Sequence, residues 1–94
     1  MTAKDKLALA KCREIIDEAD KVLLQALGSR FKAVEQVGKI KHRNQMPLFQ
    51  KARWEEVVEN RLKLAKKQKV NPDFTKSLLK LIHREAIRIQ KGKK

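Results

Sequence analysis

The sequence has no tyrosine, one tryptophan, one cysteine, two prolines and three glycines among 94 residues. With Cys12 alone, no internal disulfide can form, which fits a reducing cytosol. So little Gly and Pro leaves little turn chemistry, and no stretch alternates β-branched and polar residues with period two, so strands are not expected. No apolar run approaches the roughly 20 residues that a membrane span needs. The N-terminus lacks a signal-peptide pattern. Aromatic residues, at 4%, offer few platforms for stacking nucleic-acid bases. Acids are scarce as well: 11 against 24 Lys and Arg, a net charge of +13.

What is present is Lys, Leu, Ala, Glu and Arg, the composition of long helices. A chain of this length is one domain at most, spanning 1–94, and is expected to be all-α and intracellular. The positive charge indicates an anionic partner or substrate, and charge alone leaves nucleic acid, a membrane surface and a small polyanion open.

The first helix is expected over 5–43, with Thr2 and Asp5 as candidate N-caps. Its apolar residues alternate by three and four: Leu9, Cys12, Ile16, Ala19, Leu23, Ala26, then Arg30, Ala33, Val37 and Ile40. Such a 3.5-residue period is the pattern of helix–helix packing. A helix of about 38 residues is some 57 Å long at ~1.5 Å per residue, more than a globule of this chain could cover alone. A second copy or a partner is therefore expected on the seam. Pro47 stops the helix, because it has no N–H and disfavours helix in the residue before it.

A second helix is expected over 51–69, with Trp54, Val57, Val58, Arg61, Leu62 and Ala65 at helical spacing. Asn71-Pro72-Asp73 then marks a start: Asn caps, Pro takes the first helical position and Asp suits the positive end of the dipole. The third helix runs over 72–90, and 91–94 reads as a frayed basic tail.

Arg30 interrupts the seam. It is either a polar residue that fixes register or an anion site, since a guanidinium withdrawn from water needs a partner such as a carboxylate or phosphate. Lys41 lies eleven residues on, near the same face and about 16 Å along the axis. Arg13 is about 42 Å from Lys41 along the helix, so one small ligand can meet both only if Arg13 comes from a second copy. Gln90 ends the apolar line of Ile82 and Ala86, as either a solvated helix end or a buried amide aimed at a polar ligand. Arg53 opens the second helix, where a cation opposes the dipole. No His, Cys, Asp and Glu cluster has metal-ligand spacing, and no nucleophile–base pair or Gly-rich phosphate loop is visible, so no metal or cofactor is expected.

Taken in order, the segments Arg13–Asp20, Leu23–Leu27 with Arg30, Val37–Lys41, Ala52-Arg53 with Glu55–Val58, and Ile82–Gln90 resemble the all-helical chorismate mutases. The resemblance covers about Cys12 to Gln90. It implies an intertwined homodimer of three-helix chains that converts chorismate to prephenate by a Claisen rearrangement, without cofactor, in the cytoplasmic route to phenylalanine and tyrosine. It also implies the roles. Arg13 of the partner chain and Arg30 hold the two carboxylates, Lys41 and Gln90 bond the ether oxygen, and Arg53 helps close the site.

Three positions depart from the commonest pattern. Gln50 stands where many members have an acid, Trp54 where many have the glutamate that meets the substrate hydroxyl, and Ala86 where a serine is frequent. Gln50 can still offer a carbonyl, and Glu55 can compensate. Such choices resemble those of mutase domains linked to another aromatic-pathway enzyme. The alternatives are an isochorismate–pyruvate lyase on the same fold, a weak mutase needing a partner enzyme and, from another class, a basic helical nucleic-acid-binding module.

Overall fold

A computed structural model describes residues 1–92, and among them there are three helices and no strand. Helix α1 spans Ala3–Arg43, α2 Lys51–Lys67 and α3 Pro72–Lys91. The basic tail expected from 91 is shorter: Lys91 is helical and Gly92 caps α3, while residues 93 and 94 lie outside the described residues.

Thr2, not Asp5, starts α1: its hydroxyl accepts the Asp5 N–H at 3.0 Å, and Asp5 adds negative charge in the first turn. The stop comes two residues before Pro47. Gln45 is left-handed, with φ 54°. The Met46 N–H reaches the Lys41 carbonyl at 2.8 Å and the Gln45 N–H reaches that of His42 at 3.3 Å. These are the paired bonds of a Schellman cap, made here without the usual glycine.

The same device shortens α2. Lys69 is left-handed, with φ 59°, and Val70 N–H bonds the Ala65 carbonyl at 2.9 Å. The helix therefore ends at Lys67 instead of the expected 69. The start of α3 follows the sequence: the Asn71 side chain accepts from the Phe74 N–H at 2.9 Å and Pro72 opens the first turn.

The chain divides into two compact units, Met1–Lys32 and Ala33–Lys94. In the first unit every residue from Met1 to Ala26 is exposed. In the second, Val57 and Ala65 of α2 and Leu79 and Ala86 of α3 form the buried apolar core. The short connection makes α2 and α3 a helical hairpin, and their small residues allow close packing. Two buried polar residues flank this core along α3, Thr75 near its start and Gln90 at its end.

The expected seam on α1 is exposed throughout except at Arg30, which is half-buried. Ile16 is 56% exposed and Ile40 45%. The residues that do lose solvent form another line: Leu27, Phe31, Val34, Gly38 and Lys41, also spaced by four and three. Helix α1 thus carries two apolar faces, and the seam is the uncovered one.

Candidate active site

The ends of α1 and α3 meet at Gln90. Its side chain is held by α1: Lys41 Nζ donates to Gln90 Oε1 at 2.8 Å and to the Leu48 carbonyl at 2.6 Å. An ammonium only donates, so the amide turns its oxygen, not its nitrogen, to Lys41. That nitrogen donates to the Ala86 carbonyl at 3.2 Å, one turn back along α3. Gln90 is only 5% exposed, so this amide is not a solvated helix end.

Partial burial lowers the Lys41 pKa below its ordinary 10.5, because desolvation penalises the charged form. Lys41 sits in the last turn of α1, where the free carbonyls favour a cation.

Two α1 residues touch Gln90 without appearing among the sequence candidates. A Cβ on Gly38 would lie 3.1 Å from Gln90 Cα, so glycine permits the close approach of the two backbones. His42 Nε2 lies 3.0 Å from the Gln90 carbonyl oxygen. A carbonyl accepts, so Nε2 carries the proton. The signals for both were faint: a lone glycine inside a helical pattern, and a histidine adjoining a candidate lysine.

A second cluster lies at the start of α2. Trp54 packs on His83 with ring centroids 4.4 Å apart and planes inclined by 37°, and Phe49 meets His83 edge-on at 5.6 Å. His83 sits two turns before Gln90 on α3. Gln50 is the half-buried N-cap of α2, extended, with no side-chain cap bond. Arg53 pairs with Glu56 one turn on, both exposed, which supplies a partner for the cation that opposed the dipole. Glu55 pairs with Lys51 at 3.9 Å, again in solvent.

The structure thus brings Lys41, Gln90 and Ala86 together, while Arg53 and Glu55 bond within their own helix. Arg13 is exposed and Arg30 half-buried, both within Met1–Lys32. Among the described residues no group of three His, Cys, Asp or Glu is placed to hold a metal, and no helix is long and apolar enough to cross a membrane.

Residues 12–91 match the family described as chorismate mutase type II. Among curated proteins the chain is similar to the T-protein of Enterobacter agglomerans, 33% identical over 78 residues, which are 83% of this chain and 21% of that protein. It is also similar to the T-protein of Haemophilus influenzae, 32% identical over 79 residues, 84% of this chain and 21% of the relative. The chain therefore spans about a fifth of the length of the curated relatives it matches.

Proposed function

The chain belongs to the type II chorismate mutases, and from that membership we propose that it rearranges chorismate to prephenate at a site built on Lys41 and Gln90. A unimolecular Claisen rearrangement needs no nucleophile. The catalyst holds the compact, chair-like conformer and stabilises the charge that grows on the ether oxygen as the C–O bond breaks.

One observation carries this reading. Lys41 has three N–H groups and, among the described residues, uses two, on Leu48 and Gln90. The Gln90 amide has two and uses one, on Ala86. Each keeps one hydrogen for a ligand, and the two nitrogens belong to side chains already bonded to each other. Two donors so held suit a single acceptor oxygen. Because their bonds strengthen as that oxygen gains charge, they favour the transition state over the substrate.

The remaining assignments follow the family resemblance. Arg30 and Arg13, the latter from a second copy, take the two carboxylates, and Arg53 helps close the site. The exposed apolar line of α1 supports a homodimer, since Leu9, Ile16, Leu23, Val37 and Ile40 would be left in water without one. The single Cys12, free and exposed, suits a reducing compartment, and the cytoplasm is the proposed one. In both T-proteins the matching segment is about a fifth of a longer chain, which supports a second enzyme of the aromatic pathway, fused or separate, as a working partner.

Incubation with chorismate, read by loss of its absorbance and by appearance of prephenate, tests the reading. Salicylate and pyruvate formed from isochorismate, with no prephenate from chorismate, would replace the mutase by a lyase.

A further inference from the structure

We propose that Gly38 and His42 are positioning residues that hold Gln90 by its backbone, so that its side-chain amide stays in register with Lys41. The two are four residues apart on α1 and therefore share one face of the helix. Both meet Gln90, and at different atoms: Gly38 leaves room for its Cα and Cβ, and His42 donates Nε2–H to its carbonyl.

The carbonyl matters because of where it lies. Gln90 is in the last turn of α3, whose final carbonyls have no N–H four residues ahead within the helix. A helix end with free carbonyls frays, and a frayed end would carry the Gln90 amide with it. His42 adds a donor from another helix, beside the Gly92 N–H that the Gln90 carbonyl shares with Ile89. Lys41 lies between the two positioning residues in sequence, so one stretch of α1 fixes both the amide and the ammonium that meets it.

This rests on the mutase reading of Lys41 and Gln90. His42→Leu keeps the volume and removes the donor, while His42→Gln returns an N–H near the position of Nε2. The expected result is a kcat for chorismate about tenfold lower in His42→Leu, with KM within about twofold, and recovery of most of that loss in His42→Gln. Equal kcat in His42→Leu and wild type, or no recovery with glutamine, overturns the proposal. A readout free of turnover runs beside it: NMR of the Gln90 side-chain amide and of the Lys41 titration. Loosening Gln90 takes an acceptor from the ammonium, so the Lys41 pKa should fall further in His42→Leu and the Gln90 amide signals should move. If neither responds, the proposal fails even in a protein that rearranges chorismate. If wild type converts no chorismate, the mutase reading falls, and the NMR comparison still decides whether His42 holds Gln90.

Discussion

Two polar pairs in this chain look alike as sequence and differ as physics. Lys41 and Gln90 join two helices across 49 residues of chain, partly withdrawn from water. Arg53 and Glu56 join one turn of α2 in full view of solvent. The first pair is bound on several sides, by Leu48, Ala86, Gly38 and His42, so its geometry is set before a ligand arrives. The second is an i, i+3 pair of two charges more than half exposed, screened by salt and free to exchange with water. What distinguishes a preorganised donor from a surface charge is therefore the number of elements that hold it, not its charge.

The largest effects should come from the first pair. Lys41→Ala and Gln90→Ala are each expected to lower kcat by about 10²–10³-fold, the usual loss when one preorganised donor to a developing oxyanion is removed. Thermal unfolding should change far less than turnover for Lys41→Ala. Gln90→Ala also empties a buried site, so circular dichroism must accompany its kinetics. Unchanged turnover in either variant breaks the comparison outright.

Next comes the contribution of a second copy. Arg13→Ala and Arg30→Ala chains should each be nearly inactive. Mixed and exchanged, they should regain about a quarter of the wild-type rate, since half of randomly paired dimers are mixed and each mixed dimer has one complete site. No recovery after verified exchange would confine each site to one chain.

A smaller and more graded effect is expected from pH. The Lys41 pKa lies below 10.5 in the folded chain, and donation needs the ammonium. The alkaline limb of kcat/KM should therefore start below 10.5 and vanish from the residual activity of Lys41→Ala. Stability should move the opposite way. Between the lowered folded pKa and 10.5 the unfolded chain binds the extra proton, so this group favours folding more as pH rises. Loss of rate without loss of structure across that window would separate the two.

The helices, the cap at Asn71 and the lines of α2 and α3 were legible in the sequence because period and capping are local. Lys41 and Gln90 stood out by their places on the helices and by the family resemblance, and the structure bonds them to each other. The left-handed caps at Gln45 and Lys69 were not legible, because neither residue carries a glycine signal, although α1 ends at Arg43 as expected and only α2 ends early. The covered face of α1 was also hidden. Leu27, Phe31, Val34 and Gly38 run beside the stronger seam at the same spacing, and a period cannot say which of two neighbouring faces a chain buries by itself. Gly38 and His42 owe their meaning to Gln90, some fifty residues away in sequence. His83 gains its neighbours, Trp54 of α2 and Phe49 just before it, only through folding.

The smallest effect sharpens the comparison from the other side. Glu56→Ala removes the partner of Arg53 and should change stability by no more than about 1 kcal/mol, less at high salt, as exposed ion pairs do. Its effect on kcat should stay within about twofold, because neither member of the pair is held by a second helix. Arg53→Ala is the stricter case, since the family resemblance has this residue help close the site. If closure is its role, Arg53→Ala should raise KM while Glu56→Ala should not, because loss of Glu56 frees the guanidinium for the substrate. Equal increases in KM would mean that the ion pair itself, exposed as it is, orders the start of α2 and acts through the helix and not through the ligand.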